Sequence, residues 1–319
     1  MKPKLLVTRK LPEAVEARIA ATYDAKFNPD DQPLSSETLI TQAAGADGML
    51  CAITDRISAA VLAALPASLR IIATFSVGSE HIDLAAAKAR GIAVTNTPGA
   101  LTEATADIAF LLLLGAARRV SEGEPLVRSG AWRGYTPTQL LGTELYGKRL
   151  GIVGMGRIGQ AVARRAQGFG LEIHYTGRRP RDLPPGLAAR FHPSDETFLP
   201  LCDFLSLNLA STPDTRRWLN GERIARLPKG AIVVNSARGD LVDDEALIAA
   251  LRSGQVKAAG LDVFNGEPNL DPRYRELTNT MLLPHLGSAT VETRCAMGFC
   301  ALDNLDAFFA GKAPPDRIA

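Results

Sequence analysis

Several classes of protein are excluded by what this chain has little of. Its 319 residues hold four cysteines (Cys51, Cys202, Cys295, Cys300), scattered, with no C-x-x-C pair and no histidine beside them at metal-ligand spacing. That rules against a disulfide scaffold and gives no metal site; the cysteines read as small buried hydrophobes in a reducing compartment. No long apolar run opens the chain. Met1-Lys2-Pro3-Lys4 is basic, but Leu5-Leu6-Val7 is too short for a secretory core and reads as a first β-strand. Ile108 to Ala117 is intensely apolar, yet only about half the length of a membrane span, and reads as a buried helix. Charge of one sign is lacking too: 36 Lys+Arg stand against 34 Asp+Glu, which gives no case for nucleic acid or an anionic membrane as a partner. No internal repeat or low-complexity tract is present. The expectation is a cytoplasmic globular protein, long for one domain and comfortable for two.

What is present centres on Arg149-Leu150-Gly151-Ile152-Val153-Gly154-Met155-Gly156-Arg157-Ile158-Gly159. A strand-like run enters three glycines at G-x-G-x-x-G spacing, and a helix-patterned run leaves them. With 28 glycines in the chain the bare motif could arise by chance, but its strand and helix flanks point to a dinucleotide site. There Gly154 makes the tight turn, Gly156 lets the backbone approach a pyrophosphate, and Gly159 allows close helix–strand contact. The helix begins under the phosphates, where free N–H groups and the positive dipole end favour anions.

Around this motif strand and helix signals alternate. Apolar runs at 4–8, 48–53, 70–77 and 92–96 are separated by helical patterns near 11–22, 36–44, 58–65 and 84–89. A helix over 101–119, apolar on all faces, and a turn-rich stretch at 121–148 follow. The glycines then open a second series with strands at 150–154, 171–176, 203–209, 231–236, 258–263 and 280–284, and a last helix at 290–310. This pattern predicts an α/β protein of two doubly wound, parallel-sheet (Rossmann-like) domains with a cleft between them. The first spans 1–98 plus 288–319 and the second 99–287.

The end of the second strand after the glycines selects the nucleotide. An acidic residue there would bond the ribose 2′-hydroxyl of NAD. This chain instead has Tyr175-Thr176-Gly177-Arg178-Arg179, no acid and two arginines. Arginine forks match a phosphate, so NADP(H) is expected in preference to NAD(H), the alternative being two solvated loop cations. Three further residues follow consecutive strands: Arg238 in Ser236-Ala237-Arg238-Gly239-Asp240, Glu267 in Gly266-Glu267-Pro268, and His285 in Pro284-His285-Leu286-Gly287-Ser288. Singly, such an arginine is usually a surface charge, such a histidine structural and such a glutamate a turn residue. Together on one dinucleotide sheet they suit keto-acid reduction. Arginine can hold a carboxylate bidentately, and a carboxylate bonded to imidazole keeps His285 able to protonate an oxyanion.

By these motifs the chain resembles the D-isomer-specific 2-hydroxyacid dehydrogenases over nearly its whole length. The likeness lies in Val77-Gly78-Ser79-Glu80-His81-Ile82-Asp83, Asn96-Thr97-Pro98, Gly154 to Gly159, the Arg238 segment, Gly260-Leu261-Asp262-Val263 and the His285 segment. The Tyr175-Thr176-Gly177-Arg178 turn is most similar to that of NADPH-dependent glyoxylate/hydroxypyruvate reductases. By this resemblance Arg238 binds the substrate, His285 is the proton donor and Glu267 its partner. Amides around Val77, Gly78 and Ser79 hold the substrate from the opposite domain. Asp262 lies near the nicotinamide carboxamide, and Gly287 and Ser288 line the same pocket. The cofactor set is completed by Gly154, Gly156, Arg157, Ile158, Gly159, Gly177, Arg178, Arg179, Leu209, Pro213 and Ala237. The resemblance also implies a homodimer with the 101–119 helix at its interface, and the C-terminal helix packed on the first domain.

The chain departs from the family pattern in places. Glu80 replaces an aspartate common in the substrate loop, and Asn208-Leu209-Ala210 stands where many members carry His-x-Pro, which bears on the adenosine contacts. No extra domain follows residue 319, unlike the long phosphoglycerate dehydrogenases, and Glu267 argues against formate oxidation. Reduction of glyoxylate or hydroxypyruvate is therefore expected. Larger keto acids such as phenylpyruvate, and a dinucleotide-sensing corepressor-like role, are the alternatives.

Overall fold

In the computed structural model, which describes Met1–Ala319, the alternating runs become two wholly parallel sheets, one in each of two units. The first unit comprises Met1–Leu101 and Ala289–Ala319; the second is Thr102–Ser288.

The first unit runs β1 (Lys4–Val7), α1 (Glu13–Thr22), β2 (Asp24–Lys26), α2 (Ser36–Gln42), β3 (Gly48–Cys51), α3 (Ala59–Ala64), β4 (Ile71–Thr74), α4 (Leu84–Ala89) and β5 (Ala93–Thr95). The sheet order is β2-β1-β3-β4-β5, a flavodoxin-like winding. Its inner strands are buried and largely apolar because helices cover both faces. Thus Leu6, Met49, Ile72 and Val94 pack with Leu39 of α2 and Val61 and Leu62 of α3. On the other face Leu5, Leu50, Ile71 and Ala93 pack with Val15 and Ile19 of α1 and with Ala301, Leu302 and Leu305. Those last residues belong to the C-terminal helix Val291–Phe309, fastened to α1 by Arg18 to Asp303 (2.7 Å) and Asp306 (2.6 Å).

The second unit continues with α5 (Thr102–Ala117), α6 (Val120–Arg128), β6 (Arg149–Val153), α7 (Arg157–Gly168), β7 (Glu172–Thr176), β8 (Arg190–His192), α8 (Asp195–Phe198), β9 (Phe204–Leu207), α9 (Gly221–Arg226), β10 (Ala231–Asn235), α10 (Asp244–Ser253), β11 (Val256–Leu261) and β12 (Thr280–Leu282). The strand order is β12-β11-β10-β9-β6-β7-β8, so the winding reverses between β6 and β9. That is the switch point where open α/β sheets bind ligands. Leu112 and Leu113 of α5 and Val162 of α7 pack on Leu150, Ile152, Ile232 and Val234. Leu247, Ile248 and Leu251 of α10 cover Leu205, Val233 and Leu261 on the other face.

The doubly wound α/β class is as expected, but several elements differ from the sequence reading. The second sheet has seven strands rather than six, β8 being the addition, and β2 joins the first sheet. Both are three-residue strands, Asp-Ala-Lys and Arg-Phe-His, placed at sheet edges where polar residues are tolerated and β-propensity is silent. Part of the turn-rich 121–148 stretch is helical, since α6 carries Pro125 in its interior, a residue that normally argues against a helix. The middle of α5 is not buried all round: Leu111 is 46% exposed. Cys295 and Cys300 are half-buried, whereas Cys51 and Cys202 are buried. No helix is long and apolar enough to cross a membrane.

Candidate active site

The dinucleotide end of the second unit is built by backbone shape. Gly154, with φ 96°, turns the chain out of β6, and a β-carbon there would stand 2.7 Å from Asn208 O, across the switch point. A β-carbon on Gly159 would stand 2.2 Å from Gly154 O, so α7 can leave the strand this closely only with glycine. Gly156 differs: nothing lies within 4 Å of its missing β-carbon. It is also the N-cap of α7 and supplies no side-chain cap. In α2, α3, α4 and α10, by contrast, Ser35, Ser58, Asp83 and Asp243 cap the first turn. The leading N–H groups of α7 therefore face open space, with Arg157 exposed and Ile158 half-buried beside them, as an anion cradle requires.

Two buried polar atoms near the same sheet end have no hydrogen-bond partner, Asn208 Oδ1 just beyond β9 and Ser236 Oγ just beyond β10. Orphaned groups of this kind are rare inside proteins, and they suit a polar ligand in the crevice. At the end of β7 the space around Gly177 is open, and Arg178 and Arg179 are exposed. The residues fit a dinucleotide. Leu209 is half-buried and Pro213 exposed, both in the loop after β9, and Ala237 is half-buried after β10.

Arg238 follows β10 in a turn shaped by the buried side chain of Asn235. Its Oδ1 accepts from Ala237 N at 3.0 Å and its Nδ2 donates to Arg238 O at 2.8 Å. The next residue, Gly239, lies against the backbone of Phe264, whose carbonyl oxygen would be 2.2 Å from an added β-carbon. The Arg238 turn is thereby seated on the loop carrying Glu267. Glu267 Oε1 accepts the Phe264 N–H at 2.8 Å, and Oε2 lies 2.8 Å from His285 Nδ1. A carboxylate only accepts, so Nδ1 carries a proton and Nε2 is left as the nitrogen that can exchange one. Burial opposes the charged form of Glu267. The bond and charge of His285, the Phe264 N–H and the nearby Arg238 outweigh it and hold the carboxyl below the usual range.

His285 itself has φ 56°, a left-handed conformation uncommon for a residue with a β-carbon. Asp262, fully buried at the end of β11, keeps it there. Its carbonyl accepts His285 N (2.9 Å), and its carboxylate accepts Leu286 N (2.6 Å) and Gly287 N (2.8 Å). Burial raises the Asp262 carboxyl, against the pull of those N–H groups and of His285. Ser288 is half-buried at the end of the unit. The sequence ties Asp262 to the cofactor alone and does not reveal its clamp on the His285 turn. The strand end just before a functional loop was the available signal.

The family model of the D-isomer specific 2-hydroxyacid dehydrogenase NAD binding domain matches residues 110–287. Glycerate dehydrogenase of Hyphomicrobium methylovorum is 46% identical over 312 residues, 97% of each chain. The chain belongs to the D-isomer specific 2-hydroxyacid dehydrogenases. Glyoxylate reductase of Korarchaeum cryptofilum is 43% identical over 321 residues, 100% of this chain and 96% of that one. Among solved structures, an NADPH-dependent glyoxylate/hydroxypyruvate reductase from Sinorhizobium meliloti in complex with NADP and malonate has a TM-score of 0.89 at 34% identity. That match covers 100% of this chain and 97% of the other. The family is one of NAD(P)-linked dehydrogenases, so the dinucleotide end described above belongs to an enzyme.

In the first unit, Val77 is exposed and Gly78 and Ser79 half-buried. They form the loop after β4, at the C-terminal end of the flavodoxin-like sheet.

Proposed function

We propose that this dehydrogenase reduces small 2-keto acids, glyoxylate and hydroxypyruvate, to glycolate and D-glycerate with NADPH. The observation that carries the chemistry is the 2.8 Å bond between His285 Nδ1 and Glu267 Oε2 beside the Arg238 turn. Arg238 holds the carboxylate and offsets negative charge growing on the carbonyl oxygen. His285, its Nδ1 proton held by Glu267, delivers a proton from Nε2 to that oxygen. The amides of the Val77–Ser79 loop hold the acid end of the substrate. Bound reduced nicotinamide supplies the hydride. Gly154, Gly156, Arg157, Ile158 and Gly159 cradle the pyrophosphate, while Leu209, Pro213, Ala237, Asp262, Gly287 and Ser288 line the rest of the cofactor site.

The preference for NADPH rests on Arg178 and Arg179, two exposed cations with no acid beside them in Tyr175-Thr176-Gly177-Arg178-Arg179. The relatives named for glyoxylate and glycerate support the small substrate. A homodimer in the cytoplasm is the setting we expect. Initial rates with glyoxylate, hydroxypyruvate, pyruvate and phenylpyruvate, each with NADPH and NADH, test the proposal. It stands if the first two substrates with NADPH have the highest kcat/KM. Faster turnover of phenylpyruvate, or of NADH, refutes the corresponding half.

A further inference from the structure

Two carbonyls of the Val77–Ser79 loop are tied back into the first unit. Asn96 Nδ2 donates to Val77 O at 2.8 Å, and Ser76 Oγ donates to Gly78 O at 2.5 Å. The Gly78 carbonyl only accepts, so Ser76 spends its one proton there. Thr74 Oγ1, 2.9 Å from Ser76 Oγ, is therefore the donor in that pair. His81 Nε2, 2.9 Å from Thr74 Oγ1, is the donor in the next. The chain of hydrogen bonds runs one way, from His81 through Thr74 and Ser76 to the loop. On either side Thr97 N donates to Ser76 O and Ile82 N to Ser79 O, both at 2.9 Å.

A trans peptide sets each carbonyl opposite the following N–H, and the one cis bond of the chain is elsewhere, at Glu267–Pro268. With the Val77 and Gly78 carbonyls turned toward Asn96 and Ser76, the N–H groups of Gly78 and Ser79 face away from those anchors. Neither N–H is spent on the chain's own acceptors. Successive open N–H groups of this kind form an anion-binding concavity. We infer that Ser76 and Asn96 are positioning residues that aim these two amides at a substrate carboxylate. This rests on the proposal that the loop holds the acid end of a 2-keto acid.

The test uses Ser76→Ala and Asn96→Asp, the latter of the same size but without the donor. The readouts are inhibition by oxamate, an unreactive 2-keto-acid isostere, the KM and kcat for glyoxylate, and the Kd for NADPH. Loss of one anchoring hydrogen bond should raise the oxamate inhibition constant and the glyoxylate KM by about five- to tenfold. We expect kcat at saturating glyoxylate and the NADPH Kd to stay at wild-type values, and Ser76→Thr, which keeps the hydroxyl, to restore oxamate affinity. Asn96 is half-exposed, so its variant carries the test should Ser76→Ala fail to fold. Unchanged KM and oxamate affinity in Asn96→Asp overturn the inference, as does an equal loss of NADPH affinity. A wild-type protein that reduces glyoxylate yet ignores oxamate overturns the underlying reading of the loop instead.

Discussion

Replacing Glu267 by glutamine isolates what its negative charge does for His285. The exchange is nearly isosteric, and one side-chain oxygen remains to accept either the His285 Nδ1 proton or the Phe264 N–H, each at 2.8 Å in the native pair. What is lost is the charge and one of the two acceptors. Hydrogen bonds to charged groups contribute about 1.5–3 kcal/mol against about 0.5–1.5 for neutral ones. The difference, roughly 1–1.5 kcal/mol, corresponds to about a five- to tenfold change in rate. The side chains of His285 and Glu267 are 30% and 34% exposed, so solvent screening keeps the effect near the lower figure. kcat/KM for glyoxylate reduction should therefore fall by about fivefold, with NADPH binding unchanged. The acid limb of its pH profile follows from the lowered Glu267 carboxyl. The pairing is fully present above the ordinary carboxylate range and is lost as pH falls through the lowered value. A companion variant, His285→Asn, removes the proton donor with a residue that tolerates the left-handed backbone at φ 56°. Its turnover should fall by about 10²–10⁴. A Glu267→Gln enzyme with wild-type kcat/KM, or a His285→Asn enzyme with wild-type turnover, would refute the reasoning.

Other perturbations have outcomes as definite. Arg178→Ser with Arg179→Ser should cost NADPH roughly ten- to a hundredfold in affinity for each charge-assisted hydrogen bond removed while sparing NADH; paired binding titrations decide it. Gly159→Ala would set a β-carbon 2.2 Å from Gly154 O, so NADPH binding should fail and Tm should drop, whereas unchanged binding would show that the turn yields freely. Asp262→Ala leaves the Leu286 and Gly287 N–H groups without their acceptor. At about 1–3 kcal/mol for each orphan, denaturant unfolding should show a loss of roughly 2–6 kcal/mol. Burial, with the charges of Arg149 and Arg190, lowers His174 against the pull of Glu172. Burial, His174 and Arg190 lower His192. The unfolded chain then binds more protons below about pH 6.5, so this part of the stability is full above that pH and is lost as pH falls. Tm should decline on that acid side, less steeply in His192→Gln.

The parts legible in the sequence were those whose physics is local or periodic. Inner strands such as β6, β9 and β10 are covered on both faces, so their residues are buried and mostly apolar and stand out against their neighbours. The glycine motif was legible for a steric reason, since contacts at 2.7 and 2.2 Å admit no other residue at Gly154 and Gly159. Arg238 and Glu267 could be found because they come soon after the inner strands β10 and β11, and His285 because it follows the apolar run at β12, although nothing in their spacing gave the 2.8 Å approach of His285 to Glu267. Edge strands β2 and β8 escaped because they are only three residues long and largely polar, which a position at the sheet edge tolerates.

What stayed hidden depends on which backbone group each side chain finally meets. Asp262 is an ordinary strand-end acid until the chain returns 24 and 25 residues later to present the N–H groups of Leu286 and Gly287. Asn96 is a loop residue until it reaches back 19 residues to the Val77 carbonyl. Neither pairing leaves a periodic or compositional trace, because the partner is main chain and main chain has no residue identity. The side chains nominated for chemistry could be named from their type and place, whereas those that hold them in position are defined by hydrogen bonds that exist only after folding. Buried side chains bonded to loop backbone, Asn235 at the Arg238 turn and Asp262 at the His285 turn, are accordingly where substitutions remote from the reacting atoms should do the most damage.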